Sequence, residues 1–244
     1  MRASGVSRSY ANGLQALDRV DLRLAEAELV SLLGPSGCGK STLLRILAGL
    51  LEPTAGAVEG AFAGAGQVGV CFQEPTLLPW ATVFENVWLP LRLSGLPRAT
   101  AEPRVAAAID RVGLGGFAGS YPRALSGGMK MRVAIARALV TEPRLLLLDE
   151  PFAALDEITR FQLNEDLLRA FAERRLGVLF VTHSVFESVF LSTRIVVLSR
   201  RPGRVVGELA VDLPWPRTPE LRTSPRYAEL CRQASALLAQ AMAA

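Results

Sequence analysis

The run Gly34-Pro35-Ser36-Gly37-Cys38-Gly39-Lys40-Ser41-Thr42 carries the most specific chemistry in the chain. Its spacing fits G-x-x-x-x-G-K-[ST], a loop built to hold phosphate. Glycines let the backbone wrap closely, so that its N–H groups face an anion. The apolar run Leu29–Leu33 precedes it, and Leu43, Leu44, Leu47 and Leu50 follow at helical spacing. The local order is therefore strand, turn, helix, and the positive end of that helix points at the same anion. In this frame Lys40 reaches the β- and γ-phosphates of a nucleotide and the Ser41 hydroxyl binds Mg²⁺. The chain has only two lysines, Lys40 and Lys130, so its basic side chains are almost all Arg. An ammonium is a compact point charge that a guanidinium does not imitate, which suggests that lysine is chemically required here.

Three other groups suit the same chemistry. Leu145–Leu148 is an apolar strand that ends in Asp149-Glu150. A buried strand delivers side chains to the C-terminal edge of its sheet, where ligands bind in open α/β folds. There Asp149 would hold Mg²⁺, directly or through water, and Glu150 would polarise an attacking water. Taken alone, the pair also suits the acidic start of a helix. Leu125-Ser126-Gly127-Gly128 opens a helix and forms a second anion-ready turn, although a Ser cap is the plainer reading of its spacing. His183 is the single histidine and follows the apolar strand Val178–Val181, so it too sits at a strand's C-terminal edge.

The 244 residues suffice for one large α/β domain or two small ones. Half are hydrophobic and 20% are charged, an ordinary globular balance. The longest apolar runs are a few residues, against the roughly 20 that a spanning helix needs. Met1–Tyr10 is polar and has no apolar run that could serve as a signal peptide. Three cysteines, Cys38, Cys71 and Cys231, show no metal-binding spacing, as expected in a reducing cytoplasm. A formal charge of +4 is mild evidence for an anionic partner.

Several elements position these groups. Val20, Leu22 and Leu24 alternate as in a half-buried strand. Short strands are expected at Ala57–Glu59 and Val68–Phe72. Helices are expected at about Glu102–Val112, Gly128–Val140 and Glu157–Arg175. Together with the apolar strands at Leu145–Leu148 and Val178–Val181, the last helix gives the order βαβ, the mark of a doubly wound parallel sheet. Residues 74–140 read as a helical insertion and 201–226 as a Pro- and Arg-rich loop. Ser224-Pro225 marks the start of a last helix, Ser as cap and Pro at the first position.

Taken together, these residues resemble the ATP-binding subunit of an ATP-binding-cassette transporter, over about residues 3–210. The phosphate loop at 34–42, the Leu-Ser-Gly-Gly signature at 125–128 with its continuation Arg132–Leu139, and the strand ending in Asp149-Glu150 all stand in the family's order. Pro151-Phe-Ala-Ala-Leu155-Asp156 resembles the loop that touches the opposite subunit. Gln73 stands at the family's glutamine lever, which also ligates the metal, His183 at its switch histidine, and Tyr10 at its adenine-stacking aromatic. Two positions depart from the common pattern: Met131 where Gln is usual, and Ser184 where Asp is frequent.

The resemblance implies an α/β fold: a phosphate-loop NTPase core of RecA type with an antiparallel β subdomain, and a helical subdomain carrying the signature. In residues, one ATPase domain spans 1–244, with the core at 1–73 and 141–210, the helical subdomain at 74–140 and a tail at 211–244. It implies ATP and Mg²⁺, a head-to-tail homodimer, two membrane permease subunits, an external solute-binding protein, and a place on the cytoplasmic face of the inner membrane. No nucleic acid is expected. Phe72–Val87 with Trp80, Phe84 and Asn86, together with Thr182–Leu191 and Ile158–Phe161, looks like importers of nitrate, sulfonates, taurine and pyrimidine thiamine precursors, leaning to the pyrimidine type. A cassette ATPase acting on nucleic acid or ribosomes is the alternative, but it usually carries a second cassette or a long insertion. A phosphate-loop kinase would need neither the signature nor His183.

Overall fold

The computed structural model describes residues 1–60, 66–153, 155–174 and 176–243. In chain order the elements are β1 (Arg2–Ser9), β2 (Gln15–Arg23), β3 (Leu29–Leu33), α1 (Lys40–Leu47), β4 (Ala55–Glu59), β5 (Val68–Cys71), α2 (Val83–Leu93), α3 (Arg98–Arg111) and α4 (Gly127–Leu139). They continue with β6 (Leu145–Asp149), α5 (Glu157–Arg174), β7 (Gly177–Thr182), α6 (Val185–Leu191), β8 (Arg194–Leu198), β9 (Val205–Ala210) and α7 (Pro225–Ala243). The chain divides into two compact units, one of residues 1–61 and 174–244, the other of residues 62–173.

In the first unit, β3 lies between β7 and β8 and runs parallel to both, and β9 returns antiparallel to β8. β3 and β7 are buried along their whole length, which explains their unbroken apolar sequence. A separate antiparallel sheet has the order β2-β1-β4. β1 was hidden in a polar-looking start. Its register with β2 shifts between Ala3 and Val6 and again between Val6 and Arg8, so Ala3 and Val6 are buried without simple alternation. Residues 201–226 are not all loop. Val205–Ala210 forms β9, a half-buried edge strand whose hydrogen bonds to β8 decide the matter rather than its composition.

The tail from residue 211 is tied down. The Ser224 hydroxyl accepts the Tyr227 N–H at 3.2 Å, and Pro225 takes the first helical position, as the sequence predicts. α7 packs against α6, β8 and β9. The guanidinium of Arg217, 6% exposed, donates to the carbonyls of Val189, Phe190 and Ser192 and so satisfies the C-terminal end of α6. Burial lowers its pKa to about 10, and it stays charged at neutral pH.

In the second unit β5 and β6 run parallel. Its core gathers Val83, Val87 and Leu91 of α2, Val105 and Ile109 of α3, and Val133 and Ala136 of α4. α3 starts at Arg98 rather than Glu102, with Pro103 inside it. The end of the third expected helix, at Arg175, lies outside the described residues, as does Ala154 in the segment 151–156.

Candidate nucleotide-binding site

The site residues fall into two sets, one on each unit. On the first unit, Leu33 of β3 stands opposite Thr182 of β7 in parallel register. Gly34 and His183 therefore leave adjacent strands at the same C-terminal edge, the position from which open α/β sheets bind ligands. The loop 34–39 then turns into α1. Gly39 is its N-cap with φ of 106°, a conformation L side chains rarely adopt, and a β-carbon there would stand 2.7 Å from the Ala16 carbonyl oxygen and from Leu17. No side chain caps α1, so its first amides lie at the loop together with the helix's positive end.

Lys40 is buried, 4% exposed, and its ammonium donates to the carbonyls of Gly34 at 2.8 Å and Pro35 at 3.0 Å. The charge is thus held at the mouth of the loop rather than on the surface. Ser41 and Thr42 are half-buried. The Tyr10 hydroxyl lies 3.2 Å from the Thr42 hydroxyl, and Arg8 stacks over the Tyr10 ring at 5.1 Å, so that ring is anchored beside α1. His183 is exposed. The turn after it is stiff: the Thr182 hydroxyl donates to the Glu187 carboxylate at 2.7 Å and accepts the Ser184 N–H at 3.0 Å. Ser184, the departure from Asp, caps α6 by accepting the Glu187 N–H at 3.3 Å.

On the second unit, Cys71 of β5 stands opposite Leu148 of β6. Gln73, just after β5, and the pair Asp149-Glu150, at the end of β6, therefore lie at one edge of neighbouring parallel strands. Asp149 is 3% exposed. Glu150 has φ of 44°, left-handed for a residue with a side chain, and its carbonyl accepts the Ala153 N–H at 3.2 Å to close the turn. Such a backbone costs on the order of 1–3 kcal/mol and clusters at functional positions.

Ser126 is the N-cap of α4, its hydroxyl accepting the Met129 N–H at 3.2 Å, so the plain capping role is real. Ser126 and Gly127 are also exposed at that helix start, where the amides and the dipole favour an anion. Leu155 lies against Gly128, its Cδ2 3.0 Å from where a β-carbon would stand. The Asp156 carboxylate accepts the Thr159 N–H at 2.9 Å at the start of α5, and that bond holds its pKa below the usual range. Among the described residues no cluster of three His, Cys, Asp or Glu could hold a metal. Hydroxyl and single carboxylate oxygens suit Mg²⁺, which keeps several waters and shares its shell with phosphates.

Sequence reasoning missed the contacts by which several residues hold this second set. Arg137 of α4 donates to the carbonyls of Pro75 and Thr76, both at 2.9 Å, and ties the signature helix to the segment after Gln73. Met131 is buried, and its sulfur lies 3.6 Å from the Cys71 thiol, so the position usually held by Gln packs against the end of β5 instead. Burial pushes the Cys71 thiol up to about 12. Asn86 is fully buried: its Oδ1 accepts the Leu78 N–H at 2.8 Å, and its Nδ2 donates to the carbonyls of Leu78, Ala81 and Thr82. It thereby shapes the loop that leaves Trp80 73% exposed, whereas Phe84 packs partly on the core. Thr82 and Glu85 form a capping box, a T-x-x-E signal legible in the sequence. Asn86→Ala leaves several buried backbone groups unpaired and is expected to cost roughly 2–3 kcal/mol, read as a lower urea midpoint.

A phosphate loop between strand and helix, with carboxylates on a second strand edge and a glycine-flanked helix start, defines a nucleoside-triphosphatase of the cassette class. The sequence profile of the ABC transporter family matches residues 17–153, more than half of the chain. The chain belongs to that family and is an ATP-binding, ATP-hydrolysing subunit. It is 47% identical, over 97% of both chains, to the aliphatic sulfonates import ATP-binding protein SsuB 2 of Pseudomonas syringae pv. tomato. It is 48% identical over 89% of its length, and 82% of the relative's, to an uncharacterized ABC transporter ATP-binding protein of Methanocaldococcus jannaschii. Among solved structures, the dimeric post-hydrolysis state of the ATP-binding cassette MJ0796 bound to ADP and Pi has a TM-score of 0.78 at 31% identity, covering 87% of this chain and 99% of that one.

Proposed function

We propose that this chain drives an importer of small organic anions of the sulfonate type, as two copies arranged head to tail on two permease subunits at the cytoplasmic face of the membrane. The observation that carries this reading is the nearly full-length likeness to a sulfonate import subunit. The solute-named relatives favour sulfonates over the pyrimidine type to which the sequence pattern leans.

In this reading each ATP lies on the loop 34–42 of one copy and under Ser126, Gly127 and Gly128 of the other. Lys40 and the first amides of α1 hold the β- and γ-phosphates, and Tyr10 receives the adenine. Ser41, Gln73 and Asp149 would hold Mg²⁺, which neutralises phosphate charge when bound. Glu150 accepts a proton from the attacking water, and His183 donates to the γ-phosphate. Asp156 and its loop meet the opposite copy. Charge spread over the transferred phosphoryl group is stabilised by donors from both copies, so ATP closes the dimer, and its hydrolysis weakens the closure. Gln73 passes this change to α2–α4, and Trp80, just before α2, and Leu93, at its end, are exposed and open to contact with a permease.

Among the described residues no helix is long and apolar enough to cross a membrane, so membrane binding in this reading comes from the permease. The tagged chain is therefore expected in the membrane fraction of its own cells and lost from it when the permease gene is deleted. Equal recovery without the permease, or tight DNA binding at physiological salt, would sink the reading. Deleting this chain's gene is expected to abolish uptake of labelled ethanesulfonate. Unchanged sulfonate uptake with loss of pyrimidine uptake would move the solute class.

A further inference from the structure

The turn between β8 and β9 lies on the outer, carbonyl side of the phosphate loop. The Arg201 Nε donates to the Gly37 carbonyl at 3.2 Å. Two residues on, Gly203 packs on the backbone of Cys38 so closely that a β-carbon would overlap the Cys38 carbonyl oxygen. The turn is itself well held. The Ser199 N–H donates to the Arg204 carbonyl at 2.8 Å, and the Ser199 hydroxyl accepts the Arg204 N–H at 3.0 Å. Gly203 exchanges bonds with β2, donating to the Ala16 carbonyl at 2.9 Å and accepting the Asp18 N–H at 3.0 Å. The Arg204 guanidinium donates to the Asp18 carboxylate at 2.8 Å.

A trans peptide points its C=O and N–H in opposite directions. With the Gly37 carbonyl held outward by Arg201, the Cys38 N–H turns to the inside of the loop. There it faces the Pro35 carbonyl at 3.4 Å, the same oxygen that accepts the Lys40 ammonium at 3.0 Å. We propose that this turn is a brace for the phosphate loop, and that Arg201 is a positioning residue that presents the Cys38 N–H to the nucleotide's phosphates. The proposal rests on the assignment of residues 34–42 as the nucleotide loop. Pre-organised donors bind without first reordering, so the brace acts on affinity for any nucleotide that fills the loop.

The test is nucleotide affinity of the full-length chain and its variants, by titration with fluorescent ATP and ADP analogues. Arg201→Ala is expected to weaken both nucleotides equally, by roughly five-fold, the scale of one hydrogen bond, with an unchanged melting midpoint. Arg201→Lys can still donate to the Gly37 carbonyl and is expected to recover most of that loss. Gly203→Ala, with Arg201 intact, is expected to weaken both nucleotides as well. Unchanged affinities in Arg201→Ala overturn the proposal. So does a loss confined to ATP, which would mark a direct contact with the terminal phosphate. A loss shared by the Lys variant and accompanied by a lower melting midpoint also overturns it. Lys40→Ala keeps the two levels apart: if it binds normally the loop assignment fails, and if it alone fails to bind the brace is wrong while the loop stands.

Discussion

Lys40→Ala is expected to abolish ATP binding at working concentrations while the fold persists. Lys40 is 4% exposed, and its ammonium is held by the Gly34 and Pro35 carbonyls, at the mouth of the loop proposed to receive phosphate. A charge-assisted bond contributes about 1.5–3 kcal/mol, so loss of contacts to two phosphates weakens ATP by roughly a thousand-fold. Alanine leaves α1 in place, because Gly39 rather than Lys40 sets its start. Equilibrium dialysis with labelled ATP reads the first effect and a thermal melt the second. Normal affinity in a folded variant would remove Lys40 from its role. Arg at this position is not a rescue, since the loop encloses a compact ammonium and a planar fork is wider.

Glu150→Gln is expected to bind ATP and keep it. The substitution preserves shape and removes only the carboxylate's capacity to take a proton, a contribution of about 10²–10⁴ in rate. With hydrolysis slowed and binding intact, the closed pair of copies should accumulate, visible as an ATP-dependent dimer by light scattering. Phosphate release at the parent rate would transfer the base role elsewhere. The backbone at Glu150 supplies a second readout. Its φ of 44° is costly for any residue with a β-carbon, so Glu150→Gly should raise the melting midpoint while losing the rate. A gain in stability paired with a loss of turnover is the expected mark of strain kept for the sake of a carboxylate.

The candidate reacting groups could be picked out because each depends on its near neighbours in sequence. The glycines, Lys40 and Ser41 lie within one turn and one helix start, and Asp149-Glu150 ends an apolar strand. Ser126 was readable as a cap and as an anion site; the structure shows the cap, and the anion role belongs to the proposed function. β1 was not legible, because its register shifts break the alternation that marks a strand. β9 was not legible either, because a Pro- and Arg-rich stretch gave no sign of its pairing with β8.

The sequence by itself determined which chemical groups the protein has and the order in which they come. It also determined the local turns that present them, since those turns follow from glycine, proline and capping residues a few positions away. Only the tertiary structure decided that Leu33 stands beside Thr182, that Cys71 stands beside Leu148, and that Arg201 reaches Gly37 across 164 positions of chain. Strand neighbours are chosen by burial of whole faces and by the backbone bonds between them. Those terms join distant segments and leave no periodic trace in either one.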